Sequence, residues 1–399
     1  MDLRAPPCHR WHMAIFDDIR ASRWGLAGFV AIGFGWASFS AQVPVIKAQV
    51  GLSDGAWGTL VLIAAIGAIM AMWLAPLTHK VLGRWSMIAG FAVMAAGFVL
   101  SGATGSVILT GLGLFMAAAG SGVADVFANA EVSEAEADTG RSLMNLNHGL
   151  FSLAYAVAAG LVGLAREGGL GPVAIFSGLA VAVLFLGPFM IMPSRDHTEE
   201  AEAGAPVTGL PYGLVWVGGL VVLSAFLGEA ASEGWSALHV ERTLGGGPGE
   251  GAMGPALLAM GMAVGRLGGH VFGANWPPIR VMIIASCLAG AGLVLAGYAP
   301  TIPVAYAGFV LGGLGVSVVG PLALGLVGRA VPRRLRLTAI AQAAGLGYAA
   351  FFLGPVLMGF ISEGYGLRVS FYTIGGIMFV VAALLVPLWA RMLATRTPV

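Results

Sequence analysis

The chain has 399 residues, of which 58% are hydrophobic and 10% charged, against about 25% charged in soluble domains. That balance excludes an ordinary soluble domain, and a formal net charge of +1 with no basic block removes the electrostatic case for nucleic acid. Two cysteines, Cys8 in the polar N-terminal stretch and Cys287 in an apolar run, point to neither a disulfide nor a Cys-based metal site.

Residues 1–23 hold Arg4, His9, Arg10, Asp17, Asp18, Arg20 and Arg23 and lack the basic-then-apolar layout and cleavage site of a secretory signal. They are expected to be a cytoplasmic tail, with Met13 as an alternative start. Cutting the rest at charged or Pro/Gly-rich breaks leaves twelve runs close to the roughly 20 apolar residues that cross a bilayer. They are 24–46, 54–78, 85–104, 106–130, 142–164, 170–192, 211–238, 251–275, 280–299, 302–328, 338–361 and 369–391. Six lie in a half over 24–192 and six in a half over 210–391, followed by a cytoplasmic tail at 392–399. Between them, 193–209 (PSRDHTEEAEAGAPVTG) is too polar to bury a core and reads as a flexible cytoplasmic linker.

The fold class expected is therefore an all-α membrane protein with twelve transmembrane helices in two six-helix halves. With both termini inside, fifteen Lys and Arg fall in cytoplasmic segments (Arg4, Arg10, Arg20, Arg23, Lys80, Arg84, Arg141, Arg195, Arg280, Arg329, Arg333, Arg334, Arg336, Arg391, Arg396). Only Lys47, Arg166, Arg242 and Arg368 fall outside, the asymmetry of the positive-inside rule. A short echo, GSGV at Gly120–Val123 and GLGV at Gly313–Val316, hints at an internal repeat with an offset of 193. Gly261, Gly265, Gly269 and Gly273 make a ridge on the eighth span that admits a close neighbour.

A charge in the middle of a bilayer costs about 2.5 to 3.5 kcal/mol, so intramembrane charges mark solute paths or paired sites. Asp125, Glu229 and Arg266 are such residues, each interrupting a long uncharged run. Offsets of three, four and seven share a helix face. That places Ser121, Asp125 and Asn129 together on the fourth span, Asn145, His148, Ser152 and Tyr155 on the fifth, Glu229, Ser232, Glu233 and Ser236 on the seventh, and Arg266 with His270 on the eighth.

Depth counting puts Asp125 and His148 at one level, fit to exchange a proton. It leaves Glu229 and Arg266 about 13 Å apart in depth and sets Glu233 toward the outer interface beside Trp235. Asp125 and His148 are thus the expected proton-coupling pair. Asn129, Asn145, Glu229, Glu233, Arg266, Trp36, Gln42, Gln342 and Tyr348 are the expected solute-binding set, with Ser38 and Ser40 as minor additions. For Asp125, Glu233 and His148 the competing reading is structural: helix tying, interfacial solvation or packing.

The six-plus-six plan resembles the major facilitator superfamily over essentially the whole chain. Gly120-x-Gly122-x-x-Asp125-x-x-x-Asn129 and Met144-Asn145-Leu146-x-His148 resemble the fourth and fifth spans of the fucose-proton symporter group, with His148 in place of a glutamine. Gly228–Trp235 (GEAASEGW) and Ala263–Gly269 (AVGRLGG) look more like the YbjJ-like branch of bacterial inner-membrane permeases.

The resemblance implies a central cavity walled by spans 1, 4, 7 and 10, where Asp125 and Glu229 fall, and a carboxylate that binds sugar and proton. Departures limit it. Ser40 stands where the fucose group has a first-span Asp, and Lys80 where the superfamily's loop signature has an Asp ahead of Gly83-Arg84. The Gly-Pro typical of the fifth span of drug antiporters occurs instead as Gly354-Pro355 in the eleventh.

No P-loop, HExxH or GxSxG occurs, so no ATP, cofactor, metal or enzyme chemistry is expected. The expected function is secondary active transport of a small polar solute, a sugar being one candidate, across the inner membrane with protons, by a monomer embedded in the lipid bilayer. Proton-coupled export of a small metabolite on the same fold is the alternative; a membrane-embedded enzyme or a channel is remote.

Overall fold

The computed structural model describes residues 8–193, 209–272, 276–332 and 335–395. Residues 194–208 of the expected linker, together with Arg4, Arg195, Arg333, Arg334, Arg396 and Gly273, lie outside them.

After α1 (Cys8–Ala21), the first span is split into α2 (Arg23–Ser40) and α3 (Val43–Val50). The two meet at 53°, where Pro44 starts the second piece. Then come α4 (Asp54–Leu82), α5 (Ser86–Gly102), α6 (Val107–Thr139), α7 (Met144–Glu167) and α8 (Pro172–Leu186). The second half holds α9 (Tyr212–Leu238), α10 (Pro248–Phe272), α11 (Pro278–Tyr298) and α12 (Ile302–Arg329). Its last two spans are each double: α13 (Arg336–Tyr348) with α14 (Ala350–Tyr365), and α15 (Leu367–Val380) with α16 (Val386–Ala394), the latter joined by a π turn at Val381–Leu385.

Among the described residues nine helices are long and apolar enough to cross a membrane, ten if the bent α2–α3 pair is one span. The remaining two expected spans are α8, which is short and continues as a 3-10 turn, and α10, long enough but diluted by its glycines, Pro255 and Arg266. α6 overruns its expected end: the Glu- and Ala-rich stretch after Ala130 stays helical to Thr139. Such residues are good helix formers, and the stop is Gly140, whose φ of 67° a side chain would resist.

Lipid gives helices no hydrophobic reason to associate, so close backbone approach and satisfied polar groups hold the bundle together. At the crossing of α5 and α6 a methyl on Gly97 would strike Ala117 and Gly113, and one on Gly120 would strike Gly90 and Met94. The second half repeats this residue for residue: Gly292 faces Gly308 and Gly312, and Gly315 faces Ala285 and Ala289.

The pairs Gly97/Gly113 and Gly292/Gly308 are related by an offset of 195, and so are Gly120 with Gly90 and Gly315 with Ala285. The internal repeat is therefore structural, but its register is 195 rather than 193. The short echo aligned Gly120 with Gly313, whereas the glycine that performs its packing role is Gly315. Of the expected ridge on α10, Gly261 and Gly265 abut α12 closely and Gly269 less so.

Hydroxyls along the spans mostly bond their own helix. Ser38 donates to Phe34 O at 2.7 Å, Ser224 to Leu220 O at 2.8 Å and Ser232 to Gly228 O at 2.7 Å. This satisfies them without a partner helix.

Between the halves run two equivalent seams, α7 against α10 and α4 against α14, that is, spans five with eight and two with eleven. The α4–α14 seam is tight where Gly55, Gly58 and Gly359 let the backbones meet. It does not extend to α13, which packs on α9 and α12 and leaves Tyr348 47% exposed.

Candidate functional site

Arg266 is the hinge of the arrangement. Its side chain is 9% exposed, and Nη2 donates to both Glu229 oxygens at 3.2 Å while Nη1 donates to Ser152 Oγ at 2.6 Å. One guanidinium thus links α9 and α10 of the second half to α7 of the first. A planar fork suits this, since two edges serve two partners where an ammonium would offer a point charge. Nε is buried with no partner.

The 13 Å depth gap expected between Glu229 and Arg266 is thereby corrected to contact. α9 does not end at Leu238 but runs on through a π turn, His239–Thr243. That sets Glu229 about 6–7 Å deeper below the helix end at helical rise, and the long arginine covers the rest. The same extension draws Glu233 inward: Trp235 beside it is 2% exposed and Ser236 fully buried.

Asp125 and His148 are not joined by any hydrogen bond or ion pair among the described residues. The polar side chain at Asp125 is Asn129, whose Nδ2 donates to the Asp125 carbonyl at 2.8 Å. Across the gap between halves, Asp125 is within electrostatic reach of Tyr348 on α13. The His148 ring meets that of Phe29 at 4.7 Å between centroids with the planes tilted by 50°, and Arg266 is the charge acting on it. The two residues therefore face different neighbours, because α2 packs against both α6 and α7 while those two helices barely meet.

Of the other expected residues, Trp36 donates from Nε1 to Ser121 Oγ at 2.8 Å and packs edge-on to Phe39 and Phe98, all within the first half. Gln42 is fully buried, its Nε2 on Ser38 O at 3.1 Å and its Oε1 unpartnered. Asn145 is half-buried on the first turn of α7, and Gln342 is exposed on α13. His270 Nε2 lies 3.8 Å from Asp18 Oδ2 on α1, which Arg141 also binds at 2.7 Å.

Sequence reading missed the ionic cluster at the end of the bundle opposite α1. Asp54, at the start of α4, receives Arg242 at 2.7 and 2.5 Å, Lys47 at 3.0 Å and the hydroxyl of Ser362. Glu363 of α14 takes Gly55 N at 2.7 Å and Ser53 Oγ at 2.9 Å, capping α4 from the other half. Arg166 binds Glu241 at 2.7 Å, Ala41 O at 2.6 Å and Pro248 O at 3.1 Å. Beside these lies a cavity of about 630 Å³ lined by Lys47, Asp54, Arg242, Glu363 and Arg368. The signal was present: Lys47, Arg166 and Arg242 counted as outside charges, and each stands near an acid in an adjoining loop.

A two-half helical membrane protein with paired charges buried on its seam and an ionic seal at one end is built as a carrier. A family model described as Major Facilitator Superfamily matches residues 218–398. An uncharacterized MFS-type transporter of Yersinia pestis is 30% identical over 368 residues, 90% of this chain and 93% of that protein. The chain belongs to the major facilitator superfamily and is a multi-pass membrane transporter of small molecules, not an enzyme.

Solved structures agree on the fold. A D-xylose-proton symporter matches with TM-score 0.71 at 15% identity, covering 93% of this chain and 97% of that one. A bacterial homolog of the human lysosomal transporter Spinster, inward-facing and occupied, matches with TM-score 0.68 at 16% identity over 99% and 100%.

Proposed function

We propose that this chain is a proton-coupled secondary transporter that moves a small polar solute, a sugar among the candidates, inward across the bacterial inner membrane by alternating access. Asp125 carries the coupled proton, and His148 and Asn129 tune it. Glu229, Glu233, Arg266 and Asn145 contact the solute or gate it, with Trp36, Gln42, Gln342 and Tyr348 as neutral lining. Both termini are cytoplasmic and the monomer is the working unit.

The observation that carries this reading is the buried Arg266, bound to Glu229 of its own half and Ser152 of the other. A charge network on the seam is remade whenever the halves rock, so proton or solute binding there biases the access state. The ionic cluster at the opposite end from α1 ties the halves together, which supports an arrangement closed outside and parted toward α13. One charge moved through 100 mV supplies about 2.3 kcal/mol, enough for a several-tens-fold solute gradient. The fold also serves a D-xylose-proton symporter, so it accommodates this chemistry. The narrower likeness to the fucose-proton symporter group and the YbjJ-like branch rests on the fourth-, fifth-, seventh- and eighth-span motifs alone.

The test begins with a thermal-shift screen of sugars, sugar acids and amino acids, because ligands of the folded state raise its apparent stability. The best hit is then followed in proteoliposomes under an imposed proton gradient. Accumulation with inward protons is expected; outward solute movement driven by inward protons would replace import by export.

A further inference from the structure

We propose that the cavity at the end of the bundle opposite α1 is a receiving site for a hydroxylated monocarboxylate, an anion of sugar-acid type. The proposal rests on the reading above of a small polar solute, whose chemical class it narrows, and does not depend on the proton coupling.

The cavity measures about 630 Å³, within the roughly 300–1,000 Å³ typical of small-molecule pockets. Its walls come from both halves: Lys47, Ser53 and Asp54 from the first, Arg242, Thr243 and residues 362–368 from the second. A solute lodged there touches both halves at once, so it binds differently when they are joined and when they part.

Three cations line the space, Lys47, Arg242 and Arg368, against two carboxylates, Asp54 and Glu363. Both carboxylates are already served. Asp54 holds Arg242 and Lys47, and Glu363 accepts from Gly55 N and Ser53 Oγ. Arg368 pairs with no carboxylate among the described residues. Its Nη1 donates instead to the carbonyls of Gly297, Tyr298 and Ala299 at 2.9, 2.7 and 3.0 Å.

Those carbonyls close the end of α11 and hold the guanidinium in place without cancelling its formal charge. Its Nε and Nη2 make no hydrogen bond among the described residues. One positive charge is thus left over on a planar, prepositioned fork, which fits a single carboxylate. Arg368 is also the second residue of α15, and neither Leu367 N nor Arg368 N has an acceptor. The helix start adds to the pull on an anion that Arg368 already exerts.

Charge accounts for one end of the solute only. Thr243 and Tyr365 line the same cavity, and their hydroxyls make no hydrogen bond among the described residues. A bare carboxylate would leave these groups and most of the volume unused. A carbon chain bearing hydroxyls engages them while its carboxylate rests on Arg368, since each hydroxyl both donates and accepts.

The test uses gluconate as probe and needs no transport. Full-length protein in detergent is titrated calorimetrically at fixed ionic strength, because exposed charges are screened by salt. Saturable binding of gluconate is expected, with glucose, which lacks the charge, and acetate, which lacks the hydroxyls, each weaker by at least about tenfold. Arg368→Gln should weaken gluconate by a similar factor. So should Thr243→Glu, which sets a competing carboxylate in the cavity and breaks none of the hydrogen bonds described.

Absence of saturable gluconate binding overturns the proposal, as does unchanged affinity in Thr243→Glu, which decides the matter if Arg368→Gln is not monodisperse. Inorganic phosphate displacing gluconate at equal concentration would overturn the carboxylate class. Proton-driven accumulation of a neutral sugar by a protein that does not bind gluconate removes this site and leaves the transport reading. Gluconate binding without any proton-driven accumulation keeps the site and removes the coupling.

Discussion

Arg266 is the residue whose removal should be felt most. It leaves Glu229, itself 15% exposed, without its cation in a low-dielectric seam, and breaking a buried pair from one side costs about 3–5 kcal/mol. Arg266→Ala is therefore expected to fall sharply in melting temperature and in the yield of monodisperse protein. The double variant Arg266→Met/Glu229→Gln should recover much of that loss; no recovery would mean the pair is not what stabilises the seam.

Asp125→Asn, by contrast, should purify normally, because no ion pair depends on it. In vesicles it should lose proton-driven accumulation while retaining exchange, and full accumulation by this variant would remove Asp125 from coupling. At this scale the charged positions were legible in the sequence, because a bilayer makes each one conspicuous. Their partners were not: Asp125 has Asn129 on its carbonyl and no hydrogen bond or ion pair to His148 among the described residues, and the fork of Arg266 lands on Ser152, a residue indistinguishable by type from the serines that bond their own helices.

Among the helices, the decisive feature is backbone-to-backbone approach at paired crossings. Gly97 on α5 and Gly292 on α11 occupy matching positions, each with a neighbouring backbone where a side chain would go. Gly97→Val and Gly292→Val are each expected to cost about 1–3 kcal/mol through overpacking, whereas Gly160→Ala or Gly178→Ala, with nothing within 4 Å, should be near neutral. Melting curves of the four purified variants check both the size and the equality of the first two effects.

Span positions could be read from hydropathy, since bilayer thickness sets their length. What hydropathy missed was continuation past the last apolar residue: α6 runs to Thr139 and α9 through its π turn to Thr243. Such polar extensions are helical by propensity and hydrogen bonding, which an apolarity count does not register.

For the whole molecule, the ionic cluster joins the two halves at the end opposite α1. Asp54 is 6% exposed and bound by Arg242, Lys47 and Ser362, so Asp54→Asn removes the anion on which cations from both halves converge. Ser236, fully buried and six residues before Arg242, supplies the reporter as Ser236→Cys in a Cys8→Ser/Cys287→Ser background. Asp54→Asn is expected to raise its labelling several-fold by a membrane-impermeant maleimide from the outer side; unchanged labelling would mean the cluster does not hold the end shut. Arg242 is 44% exposed, and the charge network is partly screened, so added salt should raise wild-type labelling in the same direction.

Composition, run length and charge asymmetry by themselves determined a two-half helical membrane protein with a few charges out of place, because lipid penalises polar groups so strongly that they are visible one residue at a time. Only the tertiary structure decided which charges meet, that the halves repeat at 195 residues, and that ion pairs join the halves at the end opposite α1. Those facts depend on helix rotation, helix length beyond the apolar run and the reach of side chains between segments distant in the chain, none of which a local pattern records.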